Sequence, residues 1–223
     1  MNRSNRGRTI AMTTKALDII KCILSLNQER PVFHSEADFQ FALAWKIQSQ
    51  HPDADVRLEY CPSEAPNTHI DIVVFHLGEV IPIELKYKTK KLSINLGDEA
   101  FNLKNHGAQD LGKYDFVKDV RRLEELSSLL SNCSHGYTIW LTNDPSYWIP
   151  PTRKNTVYEA FSIYHKAQKH GFMEWRPHAG AGTIKGRESP IELKGTYDIT
   201  WIPYSNLNVE NGVFSYAVLT IAQ

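Results

Sequence analysis

Hydrophobic positions change period along this chain, and the changes divide it into elements. Leu17, Ile20 and Leu24 recur at helical spacing behind Thr13 and Thr14, either of which can cap a helix running to about Leu26. Arg30-Pro31 ends that region. Ser35 is a good N-cap for a second helix to about Gln50, with Asp38 at its third position. Phe39, Leu43 and Ile47 form its core stripe, and Glu36 and Gln40 share another flank. The period then shortens to two. A strand over 55–60 precedes a Pro- and Asn-rich loop at 62–67, and the segments 69–75 and 80–87 alternate in the β manner and are dominated by β-branched residues. Residues 92–107 carry no clear period. A long helix over 108–130 places Phe116, Val120, Leu123 and Leu130 on one side, and 137–142 reads as a short apolar strand, brought parallel to a hairpin strand by that helical crossover. A loop at 145–151, a helix near 156–169 and strands at 197–202 and 214–221 complete an α/β chain. No repeat or linker divides it, so one domain is expected over 13–223. The Ser/Asn-rich segment 1–12, with Arg3, Arg6 and Arg8, reads as a basic disordered tail.

The two adjacent β segments carry the chemistry. With Leu77-Gly78 as the tip of a turn, His76 faces Glu79, and the same register sets Asp71 opposite Glu84 and His69 opposite Lys86. Opposed side chains share a face with Cβ atoms roughly 5 Å apart, and Glu84 and Lys86 share that face because strand side chains repeat every two residues. Ile70, Ile72 and Val74 then pair with Leu85, Ile83 and Ile81 on the apolar side. An exposed ion-pair cluster is the plain alternative. Against it, the sequence around both acids is almost continuously apolar, as in strands buried on both faces. Buried charges require partners or a cation, and oxygen ligands at this density suit magnesium or manganese.

Asp71 followed by Glu84-Leu85-Lys86 resembles the PD-(D/E)xK nuclease superfamily, the restriction-endonuclease-like fold. Ile70 stands where that pattern usually has proline. Glu36 matches the glutamate commonly found on a preceding helix, and the polar stretch Gln109-Asp110 to Lys113-Tyr114-Asp115-Phe116 matches a helix beside the site; the resemblance spans about residues 35 to 143. It implies a mixed central sheet flanked by helices and a magnesium- or manganese-dependent nuclease hydrolysing DNA, with defence against foreign DNA or repair as its setting and the resemblance to stand-alone bacterial nucleases favouring defence. Asp71 and Glu84 would hold the metal with the Leu85 carbonyl, Glu36 would hold a metal-bound water or a second ion, and Lys86 would orient water and stabilise charge. Gln40, Lys88, Lys90, Asp110, Lys113 and Tyr114 would stand behind these or face substrate. RNA cleavage by the same fold, a catalytically inactive nucleic-acid-binding module and a structural calcium site are the rival readings.

Composition bounds these expectations. With 223 residues, 42% of them hydrophobic, the chain can bury a sizeable core. Cys22, Cys61 and Cys133 are scattered and odd in number, which fits a reduced, cytoplasmic protein. No apolar run approaches the ~18 residues of a membrane span, and a homodimer is left open. Net charge is zero, so attraction for nucleic acid must be local. Lys86, Lys88 and Lys90 alternate onto the face of the acids; Lys118, Arg121 and Arg122, and Lys166, Lys169 and Arg176, form further local clusters that suit either a basic lining for DNA or an ordinary solvated surface, and only the first cluster is tied to the chemistry. Gly180 to Gly186 lacks the Gly-Lys-Ser/Thr ending of a phosphate loop, His165 and His170 have the wrong spacing for one helix face, and Trp148, Trp175 and Trp201 read as anchors of core or loops. Pro190-Ile191-Glu192-Leu193-Lys194 repeats Pro82-Ile83-Glu84-Leu85-Lys86. It follows a Gly-rich loop, its nearest upstream acids Glu174 and Glu188 lack a strand to hold them in register, and Gly195 is expected to break its strand, so the first copy is read as the site.

Overall fold

The computed structural model describes residues 16–222. The basic segment 1–12 and the caps expected at Thr13 and Thr14 lie outside the described residues. Helix α1 (Ile19–Glu29) begins later than the sequence predicts, because Asp18 caps it by accepting the Lys21 N–H at 3.0 Å. Helix α2 (Glu36–Gln50) starts where predicted, with Ser35 Oγ accepting the Asp38 N–H at 3.1 Å. Asp38 in turn accepts from the His34 N–H and from Arg30, fixing the chain's entry into the helix.

The chain continues through β1 (Asp55–Tyr60), β2 (Ile70–His76), β3 (Glu79–Lys88), β4 (Leu92–Leu96), β5 (Glu99–Leu103), α3 (Gln109–Leu129) and β6 (His135–Thr142). After a 3-10 turn at Glu159–Phe161 come β7 (Gln168–Met173), α4 (Ala181–Ile184), β8 (Ile191–Asp198), β9 (Trp201–Asn206) and β10 (Val213–Ala222). Six strands form one mixed sheet in the order β1-β2-β3-β6-β10-β9. β3 and β6 are parallel, joined through the α3 crossover, and the other neighbours are antiparallel. Leu77 and Gly78, at φ 53° and 80°, make the tight β2–β3 turn in the left-handed conformation such hairpins require. Gly136 lies so close to Pro82 across the start of the β3–β6 pair that a Cβ there would stand 2.8 Å from the Pro82 carbonyl oxygen.

Both faces of the sheet are covered. α1 and α2 pack on one face over Ile72, Val74, Ile81, Ile83, Leu85 and Tyr87. On the other, α3 and the β7–β8 hairpin enclose Val73, Val117, Val120, Ala217 and Trp140, whose ring meets Phe116, Tyr147 and Trp201. Trp175 and Trp201 are buried, as expected of anchors.

Three sequence expectations fail outside the site. Residues 156–169 are not a helix: Phe161 packs against the stacked rings of Tyr114 and Trp175, and Lys166, at φ 71°, turns the chain into β7. The strand expected at 197–202 is two strands, because the chain leaves β8 after Asp198 and enters the main sheet at Trp201. Gly195 does not break β8. It lies where the β7–β8 register shifts, and its N–H is held by Glu124 Oε1 at 2.7 Å. Residues 92–107, which show no period, contain the β4–β5 hairpin, a separate two-stranded sheet.

Candidate catalytic site

The predicted hairpin register holds from the tip to Ile72 opposite Ile83 and then stops. Asp71 and Glu84 are not a ladder pair, and neither are His69 and Lys86. Beyond Ile72 the two strands part, and side chains satisfy the backbone of β3 in place of β2. Asp71 Oδ2 accepts the Leu85 N–H at 2.6 Å, and Glu36 Oε2, from the first residue of α2, accepts the Tyr87 N–H at 2.7 Å. One turn along α2, Gln40 donates to the Asp71 carbonyl at 2.6 Å and to Glu59 Oε1 at 2.7 Å. Glu36 and Gln40 therefore tie the separated strands to one helix. Because the N–H and C=O of a strand residue point to the same side, the Leu85 carbonyl is directed into the same gap.

The gap has a visible cause. Glu59, an exposed residue in β1, has φ 49°, and the β1–β2 pairing skips it and Asp71 while continuing on either side. At this kink β2 changes face. Ile70 packs into the α3-side core with Val73, whereas Ile72 and Val74 face α1 and α2. The expected Ile70–Leu85 pair is accordingly absent. A left-handed non-glycine residue costs on the order of 1–3 kcal/mol, and here it coincides with the place where the acids gather.

Glu84 and Lys86 point toward α3, where they meet two side chains that the strand pattern did not identify. Lys86 Nζ lies 2.8 Å from Asp119 Oδ2. Arg122 Nη2 contacts Glu84 Oε2 and lies 3.3 Å from Asp119 Oδ1. Glu84 is 1% exposed, and neither carboxylate oxygen has a hydrogen bond of good geometry. Asp119 and Arg122 lie three apart on α3 and therefore on one face. In the sequence Arg122 stands out only as part of a local basic cluster with Lys118 and Arg121.

Burial pushes the Asp71 carboxyl above its ordinary range; the Leu85 N–H and Lys86 oppose the shift, and Glu36 and Asp119 add to it. Glu84 is raised well above the usual carboxylate range, again by burial, opposed by Arg122 and reinforced by Asp71 and Asp119. Burial works against charge on Lys86, but the Asp119 ion pair, with Glu36 and Asp71 behind it, holds the ammonium protonated beyond its ordinary pKa. Two carboxyls are poised to bind a proton or a cation beside a lysine that stays charged.

The remaining predicted residues are not gathered here. Lys113 is buried with its ammonium 4.3 Å from the Tyr158 ring centre; burial lowers its pKa to about 8, and its charged neighbours are Asp144 and Asp110. The Tyr114 hydroxyl donates to the Ser189 carbonyl, and Asp110 accepts from the Leu111 N–H. Lys90 is 3.9 Å from Asp144 at the end of the lysine row, with Lys88 half-buried between it and Lys86. In the repeated pentapeptide Glu192 and Lys194 are both exposed, on the small β7–β8 sheet. Residues 180–186 form a one-turn helix followed by a turn, and His165 and His170 share no helix.

As placed, no group of three or more His, Cys, Asp or Glu side chains among the described residues could hold a metal ion. The hard oxygen donors brought to the gap are the two carboxylates of Asp71 and Glu84, the latter buried without a well-made hydrogen bond, and the main-chain carbonyl of Leu85. Hard oxygen donors of this kind suit magnesium, which keeps several of its own waters. No helix among the described residues is long and apolar enough to cross a membrane. No family model matches the chain, and neither a curated protein nor a solved structure does.

Proposed function

We propose that this protein is a metal-dependent phosphodiesterase that hydrolyses DNA, built on a restriction-endonuclease-like core. The reading rests above all on Asp71 and Glu84, two carboxyls raised by burial at the mouth of a parted hairpin, with Lys86 held protonated next to them. Asp71, Glu84 and the Leu85 carbonyl would hold magnesium or manganese. A bound ion would supply Lewis acidity at the scissile phosphate and lower the pKa of the attacking water. Lys86, fixed by Asp119, cannot take a proton from water near neutral pH. Its part is to orient the nucleophile and to donate to phosphoryl oxygens as charge builds on them. Glu36 already spends one oxygen on the Tyr87 N–H, so its share in ion binding is indirect, through the shape of the gap.

Incubation with plasmid, single-stranded DNA and RNA, in magnesium, manganese or EDTA, tests the reading. Cleavage of DNA that needs a divalent ion and disappears in Lys86→Ala is expected. Cleavage of RNA alone would change the substrate and keep the chemistry. Binding without cleavage would favour the second reading, an inactive nucleic-acid-binding module, for which the Arg122 contact with Glu84 speaks: the chain already neutralises that acid from within.

Variants at Glu36, Lys88 and Lys90 refine the picture. Glu36→Gln keeps an acceptor for the Tyr87 N–H, so it should fold normally, lower activity several-fold and raise the magnesium requirement. Glu36→Ala leaves that N–H unsatisfied and should also cost about 1 kcal/mol or more in stability. An unchanged magnesium titration in Glu36→Gln would reduce Glu36 to a structural cap. For substrate contact, Lys88 is freer than Lys90, whose charge faces Asp144. Lys88→Ala should lower the slope of log affinity against log salt by about one, and Lys90→Ala by less; equal slopes in wild type and Lys88→Ala would move the binding surface elsewhere.

A further inference from the structure

Arg122 occupies an unusual position for a surface arginine. Its side chain is 34% exposed, while the Glu84 side chain beneath it is 1% exposed, so the guanidinium lies between a buried carboxylate and solvent. It is held at one end only: Nη2 reaches both Glu84 and Asp119, and Nε has no hydrogen-bond partner. A permanent arginine–carboxylate clamp usually engages two parallel N–H groups. The surrounding charge is unbalanced as well, because Glu36, Asp71, Glu84 and Asp119 act on a centre where, among the described residues, Lys86 and Arg122 are the cations that act on them. Lys86 is engaged with Asp119, which leaves Arg122 as the cation facing Glu84.

We infer that Arg122 is the resident counter-ion of Glu84, and that a divalent cation and the Arg122 guanidinium exclude one another at that carboxylate. This rests on the metal-site reading above and adds its control. In the metal-free protein Arg122 relieves the cost of a buried acid. Cation binding then requires the guanidinium to leave Glu84, a movement its one-ended attachment and its partly exposed side chain allow. Asp119 remains as the anchor to which Arg122 stays tethered and which keeps Lys86 in place. Arg122 thus sets cation affinity without being a ligand.

The test is calorimetric titration of the full chain with manganese ion alone, in the absence of nucleic acid. Arg122→Gln removes the competing charge and should bind manganese roughly tenfold tighter than wild type, the scale on which groups behind metal ligands act. The metal-free variant should also melt at a lower temperature and gain more from added manganese. Arg122→Lys, which keeps a charge but cannot reach both acids, should fall between the two, and it decides the matter if Arg122→Gln does not fold. Tighter binding in either variant supports the exclusion. Unchanged or weaker binding in the variants, with binding lost in Glu84→Gln, overturns the exclusion and leaves the metal site standing. Absence of binding in wild type and both variants overturns the metal site and the exclusion together.

Discussion

Alanine at both Glu84 and Lys86 is expected to lower DNA cleavage by on the order of 10³-fold or more, while alanine at both Glu192 and Lys194 leaves the rate within about twofold, as for exposed changes away from a site. The two targets lie in identical pentapeptides, so local sequence cannot produce the difference. Position in the fold can. Glu84 and Lys86 lie in β3, flanked by β2 and β6, with Asp71 at the parted edge and Asp119 above. Glu192 and Lys194 project into solvent from β8, whose partner in its own sheet is β7; Glu192 lies across from the exposed Phe172, and the Lys194 N–H goes to Glu124. Cleavage rates of the two double variants, measured beside melting temperatures, separate loss of chemistry from loss of fold. The opposite pattern would remove the hairpin from the mechanism.

Alternation in the sequence was enough to find the β2–β3 hairpin, its turn and its register to Ile72–Ile83, because those residues obey a two-residue period with β-branched side chains on both faces. The parallel β6 and its α3 crossover were legible for a related reason: a long amphipathic helix between two apolar strands has essentially one way to return. The period cannot report where a ladder ends. Asp71 and Glu84 were expected to face each other as a strand pair. In the structure the strands separate there, Glu59 turns left-handed, and Asp71 is held by capping the Leu85 N–H while Glu84 is buried beneath Arg122, so the acids influence one another through burial and charge rather than through register.

Asp119 and Arg122 were out of reach for another reason. They come from α3, far from the hairpin in sequence, and a charged pair on a long helix usually faces water. Only the packing of α3 across β3 and β6 turns this pair inward. The failure at 156–169 has the same origin. A run of aromatic and aliphatic residues suited to a helix is held as loop and 3-10 turn because Phe161 and Ile163 fill space beneath α3 and β8. Tertiary packing overrides a local period most easily where the segment is short.

Glu84→Gln should stabilise the metal-free protein while abolishing cleavage. Burial raises the Glu84 carboxyl above its ordinary 4.5. From about that pH up to the raised value, the folded chain retains a proton that the unfolded chain has lost, so stability falls as pH rises through the window and stays reduced above it. Glutamine carries no such proton, and Arg122 keeps Asp119 as its partner. The gain is therefore absent near pH 4, grows as pH rises through the window and is full above the raised value, at about 1–2 kcal/mol, or roughly 3–6 °C in Tm for a chain of this size. Thermal melts in EDTA from about pH 4 to about pH 9 measure it. Asp71, raised for the same physical reason, should show a weaker form of the effect in Asp71→Asn, offset by the poorer acceptor left for the Leu85 N–H. A gain independent of pH would detach the effect from the titration of Glu84, and a loss across the range would mean that the Arg122 contact more than offsets the cost of burying Glu84. A gain confined to higher pH would identify Glu84 as an acid held at a cost to stability, the mark of a residue kept for function rather than for folding.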